Sequence, residues 1–354
     1  MRIRGVSYDV GRVMGFNWRP RFDPRVVHRE LEIIKNDLHC NAVRICGLDI
    51  GRLMKAAADA LKQGLEVWLS PEMWEKSPER TLAYITKAAA AAERLRERWP
   101  DQLVFLVGSE FTLFMQGIVE GKNLTARMTH PNFIARVKAG DHNPPLNLFL
   151  ARANTAVRGV FGGKVTYASL VWEAVDWSLF DFVGVDHYRT TGIEDKYVEM
   201  LKPSFAHGKP VVITEFGYST YHGGIGSEGL LSSSGLRPGI IDVKSQFLHY
   251  AIPGLGRFIR PRLTGDHVRD EPWQARKLVE QLSVLEGAGV EGAFIFQFIS
   301  QITPYADDPK YDLDMASSSL VKSYEGGRRG AAYPDMTWEP KEAFRAVAAY
   351  YAGR

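Results

Sequence analysis

Lys209 to Ser219 reads KPVVITEFGYS. From Pro210 to Thr214 (PVVIT) it is a short apolar run with no alternation, closed by Glu215 and Gly217. Such a run suits a strand buried on both faces, the habit of parallel sheets. Seven more runs of this kind lie on either side of it: Ile3 to Tyr8, Asn41 to Cys46, Leu65 to Leu69, Leu103 to Val107, Val165 to Val171, Phe182 to Val185 and Ala293 to Phe298. Helical segments separate most of them. In Val26 to Leu38, residues Val27, Leu31, Ile34 and Leu38 share one face, and Met54 to Leu61 is closed by Gln63-Gly64. Ser77 caps a helix that Pro78 begins and Trp99-Pro100 ends. Leu146 to Val160, Tyr197 to Phe205 and Trp273 to Leu285 (capped by Asp270) follow, and a last helix from Pro340 sets Phe344, Val347 and Tyr351 on one side.

Eight such strands in 354 residues predict an α/β fold, a (β/α)8 TIM barrel, as a single domain over 1–354 with long loops after strands four, seven and eight. A doubly wound open sheet is the alternative. The chain is 45% hydrophobic and 24% charged, ordinary globular usage. A net charge of +3, with no basic run interleaved with aromatics, excludes a nucleic-acid footprint. No stretch approaches the ~18 apolar residues of a membrane span, and no secretory leader is visible, so a cytoplasmic protein is expected. If residues 41 to 46 form a strand, Cys40 and Cys46 stand about 20 Å apart and are not bridged to each other.

A barrel carries its chemistry at the C-terminal ends of its strands. The residues there are Asp9, then Arg44 and Cys46, Glu72 and Trp74, Ser109 and Glu110, Trp172 and Glu173, Asp186 with His187 and Tyr188, Glu215, and Gln297. A scaffold has no reason to gather carboxylates where they repel one another. Glu110 and Glu215 follow strands that face each other across the mouth. Two carboxyls ~5 Å apart there suit a retaining glycosidase, one as acid and one as nucleophile.

Four segments carry a family resemblance. KPVVITEFGYS resembles the strand-seven nucleophile segment of clan A glycoside hydrolases. NAVRI (41–45) resembles that clan's strand-two arginine segment, LVGSEF (106–111) its acid/base segment, and FDFVGVDHY (180–188) its strand-six segment as seen in families 5 and 113. The resemblance implies a hydrolase of O-glycosidic bonds with Glu215 as nucleophile and Glu110 as general acid/base. Arg44 and Tyr188 would steady Glu215, and His187 would meet the first sugar. From the residues themselves, Trp172, Trp74 and Trp18 are candidate sugar platforms, Glu173 and Asp186 candidate subsite acids or acids behind the site, and Asp9 and Gln297 further substrate-binding candidates; the partner would be a carbohydrate. Two departures fall on that sugar's site: Ser109 stands where the clan usually has Asn, and Phe296-Gln297-Phe298 where many members carry a Trp. Residues 312 to 344 also resemble bacterial proteins catalogued as "abortive infection protein". The alternative function is a catalytically silent barrel that binds carbohydrate or a protein.

No cofactor is expected. Gly224 to Gly229 (GIGSEG) matches G-x-G-x-x-G but follows the seventh run, with no helix opening directly and no acid ~20 residues on. It reads as part of a Gly- and Ser-rich lid, with a sugar-phosphate site as the minor alternative. No metal is expected: the His and Cys residues form no ligand motif, and Asp307, Asp308, Asp312 and Asp314 read as a solvated loop.

Overall fold

A computed structural model describes residues 1–353 apart from 191, 224–238, 253, 255 and 257, and the side chain of 251. The glycine motif and most of the expected lid therefore lie outside the described residues. The eight expected strands are all present: β1 (Ile3–Asp9), β2 (Ala42–Gly47), β3 (Glu66–Pro71), β4 (Leu103–Ser109), β5 (Lys164–Leu170), β6 (Val183–Asp186), β7 (Val211–Phe216) and β8 (Gly292–Ile295). They pair in sequence order, all parallel, and β8 closes on β1. The chain is a closed eight-stranded α/β barrel, not an open sheet.

Helices α1 (Pro24–Asn36), α2 (Ile50–Lys62) and α3 (Pro78–Arg96) fill the first three connections. The side chains of Asp23, Asp49 and Ser77 cap them by accepting from Arg25, Arg52 and Arg80 N–H groups. The connection after β4 holds three short helices, α4 (Phe111–Phe114), α5 (Leu124–Met128) and α6 (Phe133–Ala139), before the longer α7 (Asn143–Arg158). Next come α8 (Tyr197–Phe205) after β6, α9 (Val243–Ala251) and α10 (Glu271–Gly287) after β7, and α11 (Glu342–Ala352) at the end. Asp270 caps α10 through the Trp273 N–H, and Phe344, Val347 and Tyr351 of α11 are buried, both as expected. Cys40 and Cys46 are free and buried.

Alternation along the strands divides the core in two. Ile3, Ala42, Trp68, Val104, Leu106, Ala168, Phe182, Val212 and Phe294 fill the barrel interior. The Trp68 ring lies 4.9 Å from Phe182 and 5.2 Å from Phe294, an aromatic floor. The opposite parity packs outward against the helices. Above the floor the inward positions turn polar: Ser7, Arg44, Ser70, Asp186 and Thr214 are all buried. Polar groups so placed must find partners among themselves.

The acidic loop departs from its expected solvated character. Asp307 and Asp308 are exposed, but Asp312 and Asp314 are buried at 2% and 1%. Arg269 pairs with both at 2.9 Å and with Glu271 at 2.8 Å. The buried Lys341 reaches Asp314 at 2.8 Å, and Lys322 reaches Glu271 at 2.9 Å. This clasp ties the connections after β7 and β8 to the foot of α11. The sequence spacing gave no sign of it, because its cations come from three distant segments.

Candidate active site

Glu110 ends β4 in a left-handed conformation, φ 48°, and its carbonyl accepts from Leu113 and Phe114 at 2.9 and 3.0 Å to open α4. Gly108 makes the turn possible: at φ 153° a Cβ there would come within 2.1 Å of the Phe111 ring. A left-handed glutamate costs roughly 1–2 kcal/mol and persists only where its surroundings hold it. Here the Glu110 N–H donates to the Ala168 carbonyl at 2.9 Å, which anchors the turn to β5.

Asp186 and Glu215 are aimed by irregular pairing. The register of β6 against β7 shifts between Val185 and Asp186, so that Asp186 pairs with Glu215. A second shift lies between Ile213 and Phe216 on β7, and a third between Leu106 and Ser109 on β4. Such shifts at a barrel rim turn side chains out of the simple alternation. One carboxylate oxygen from each of Glu110, Asp186 and Glu215 lies within 4.8 Å of the others.

Two guanidiniums answer these acids. Arg44 Nη1 donates to the Thr214 carbonyl at 3.0 Å and lies 3.7 Å from Glu215 and 3.8 Å from Asp186. Its Nη2 is 3.3 Å from Glu72. Arg44 thus supplies positive charge where the trio would otherwise admit a cation. Arg12 reaches Asp9 at 2.8 Å, Glu72 at 3.3 Å and Glu215 at 3.9 Å. Asp186 is also held by hydroxyl donors, Thr214 at 2.6 Å and Ser109 at 3.0 Å.

Charge balance separates the three acids. Burial, then Asp186, Glu215 and Glu173, push Glu110 well above the usual carboxylate range. Burial and Asp186 raise Glu215 to about 8 against the pull of Arg44 and Arg12. Burial raises Asp186 too, and Arg44, Thr214 and Ser109 oppose it. Its donors make Asp186 the acid that ionises most readily, and Glu110, most surrounded by acids, the one that keeps its proton longest.

The other expected residues fall into distinct places. Ser109 is buried and spends its hydroxyl on Asp186. Glu173 clips the end of β5, accepting from Leu170 and Thr112 N–H groups at 3.0 and 3.2 Å and from the Tyr167 hydroxyl at 3.0 Å; burial lifts it to about 7. Asp9 holds Arg12 and its loop, accepting from Gly11 and Arg12 N–H groups at 2.7 and 3.1 Å. Trp172 is half-buried against the His142 ring. Gln297 borders a small recess with Asp9 and Trp18, its buried amide oxygen lacking a partner among the described residues. Tyr188 is half-buried beyond the end of β6. Trp74 is 8% exposed, with Phe114 stacked on it at 4.3 Å and Trp18 edge-on at 5.4 Å. His187 is 1% exposed, stacked at 4.1 Å on Tyr197 of α8, and burial pushes its pKa down to about 4.

Of two residues at the centre, Asp186 was expected only as a subsite acid or one behind the site, and Arg12 had no expected role. Asp186 was one of three polar residues closing the sixth run, and period two singles it out: Phe182, Gly184 and Asp186 share the inward parity, while His187 shares that of Val183 and Val185. Arg12 sits three residues past β1 in a loop, where no periodicity operates.

No protein-family model and no curated protein matches the chain. Solved structures do. The chain is similar to a GH113 β-1,4-mannanase, with 14% identity, TM-score 0.59, and 100% and 99% of the two chains covered. It is similar also to Bacteroides uniformis β-glucuronidase 3 (14% identity, TM-score 0.57) and to a Parabacteroides merdae β-glucuronidase (12%, TM-score 0.56). There it covers 100% and 99% of itself but only 38% and 36% of the longer enzymes. The resemblance of residues 312 to 344 to abortive infection proteins has no counterpart among these matches. Among the described residues no helix is long and apolar enough to cross a membrane. The likeness is one of fold: this chain shares the parallel eight-stranded barrel of these glycoside hydrolases.

Proposed function

We propose that the chain is a retaining glycoside hydrolase acting on an O-glycoside, with Glu215 as nucleophile and Glu110 as acid/base. The separation of the two carboxylates carries the reading. One oxygen of each lies within 4.8 Å of the other across the mouth, an approach that suits the close pair of a retaining enzyme (~5–5.5 Å between carboxyl groups) better than the wider pair of an inverting one (~6.5–9.5 Å). Glu110, the later of the two to ionise, donates its proton to the glycosidic oxygen as that bond breaks. Glu215, beside two guanidiniums, attacks the anomeric carbon and forms a glycosyl ester. Glu110, now ionised, takes a proton from water. The resulting hydroxide attacks the same carbon, releasing the sugar and restoring both carboxyls.

The substrate follows from the sugar's immediate surroundings. Ser109 is shorter than the family's Asn, and its hydroxyl is committed to Asp186, so the sugar's 2-position meets more room and a carboxylate. This favours a small, unusual glycoside over cellulose or mannan. The test is a panel of nitrophenyl glycosides, with and without chelator, followed by NMR of the first-formed product. Retained configuration, indifferent to chelator, is expected. An inverted product, or no cleavage across the panel, refutes the reading and leaves a carbohydrate-binding barrel.

A further inference from the structure

The site carries one guanidinium more than the family resemblance calls for. We propose that Arg12 is a positioning residue for Glu215, a second cation fixed in an aromatic box that favours the ionised form of this carboxylate against the opposing charge of Asp186. Its catalytic meaning rests on the assignment of Glu215 as nucleophile; the electrostatic claim stands on its own.

Arg44 alone cannot serve Glu215. Its charge is divided among Glu72 at 3.3 Å, Glu215 at 3.7 Å and Asp186 at 3.8 Å, and one of its N–H groups is spent on the Thr214 carbonyl. Asp186 meanwhile sets a like charge against Glu215, its partner in the register of β6 and β7. The groups facing Glu215 are Asp186 from β6, Glu110 from the end of β4, Glu72 after β3, Arg44 from β2 and Arg12 after β1. Without Arg12 that set holds four acids, counting Glu215 itself, and one base.

Arg12 is built into its place. Asp9 accepts from its backbone N–H and, through the other oxygen, from its Nε. The guanidinium carbon lies 4.5 Å from the centre of the Trp18 ring, 5.0 Å from Phe296 and 5.4 Å from Trp74. These rings come from the loops after β1 and β3 and from the end of β8, so the mouth closes on the side chain from three directions. Arg12 is 4% exposed, and its Nη2 is buried with no hydrogen-bond partner among the described residues. Aromatic faces attract the cation without neutralising it, so its charge stays available to the carboxylates. Trp18 and Trp74, the expected sugar platforms, also form walls of this box.

Direct titration of Glu215 by carboxyl 13C NMR tests this without substrate, the signal being identified by its loss in Glu215→Gln. Arg12→Met is expected to raise the Glu215 midpoint by about one pH unit or more, and Asp186→Asn to lower it. The double variant should return toward wild type, a rescue that a merely structural arginine would not show. Trp18→Leu, which opens the box but keeps the charge, should raise the midpoint by less. If Arg12→Met does not fold, Trp18→Leu and Arg12→Lys decide: lysine is expected to stay closer to wild type than Trp18→Leu does. An unmoved midpoint in Arg12→Met, or in Trp18→Leu where Arg12→Met is unfolded, overturns the proposal. So does a double variant no nearer to wild type than Arg12→Met. Glycoside cleavage with an unmoved titration refutes the role of Arg12 alone. The expected titration with no cleavage of any glycoside refutes the hydrolase reading alone.

Discussion

The barrel mouth and the clasp after β8 are built from the same materials and balanced differently. In the clasp Glu271, Asp312 and Asp314 meet Arg269, Lys322 and Lys341, acid for base. At the mouth, among the described residues, Asp9, Glu72, Glu110, Asp186 and Glu215 meet only Arg12 and Arg44. Buried ion pairs that merely hold a fold tend toward neutrality, because an uncompensated buried charge is costly. A surplus of one sign is retained where protons or charge must move, and there it shifts pKa values. The clasp's balance suits cohesion, and the mouth's surplus suits the chemistry proposed above. The difference can be broken experimentally from either side.

The largest effect belongs to Glu215. Glu215→Gln should lower kcat/KM for an aryl glycoside on the order of 10⁴-fold or more. Above pH 8, where Glu215 is ionised, the same change removes a buried surplus charge and should raise unfolding stability by about 0.5–2 kcal/mol. Azide added to Glu215→Ala should yield a glycosyl azide of configuration opposite to the normal product. A variant that is inactive and also destabilised would show that the mouth is balanced after all. Glu110→Gln comes next, with a loss of about 10²–10⁴ on poor leaving groups and much less on nitrophenolates, which need little protonation. Equal losses on both would take the acid role from Glu110.

Lys341→Met probes the other region. The lysine is fully buried, bonded to Asp314 and to the Thr220 hydroxyl at 2.8 Å each. Its loss should cost about 3–5 kcal/mol in denaturant unfolding, with activity per folded molecule unchanged. A large fall in kcat without loss of stability would join the clasp to the site and end the contrast.

How much of each region was legible in the sequence follows the same division. The barrel could be read because strands buried on both faces appear as bare apolar runs, and caps such as Ser77 and Asp270 mark where helices begin. Glu110 and Glu215 could be read because each closes such a run. Asp186 was readable in principle, since strand parity already separates it from His187. Arg12 was not: its place depends on rings brought together from three loops. Nor was the clasp, whose pairs span up to 51 positions, between Glu271 and Lys322.

The smallest expected effect is also the sharpest contrast, because Glu215 of the mouth and Glu271 of the clasp titrate in opposite senses. Burial and Asp186 hold the Glu215 pKa up at about 8, above the ~4.3 of an unfolded glutamate. Between those values the native state binds more protons than the unfolded chain, so this group's contribution makes stability fall as pH rises. Glu271 behaves the other way. Burial disfavours its charge, but Arg269 and Lys322 outweigh that and hold the carboxyl down at about 2. Its contribution is fully present above pH ~4.3 and is lost as pH falls toward 2. Unfolding free energy measured against pH should therefore lose part of its high-pH decline in Glu215→Gln. In Glu271→Gln it should lose part of its low-pH decline. The Glu271 effect is the smaller, because that carboxylate is partly open to solvent, which screens its pairs. If Glu271→Gln flattens the curve above pH 5, or Glu215→Gln flattens it only below pH 4, the two regions do not differ in charge balance as their ion pairs indicate.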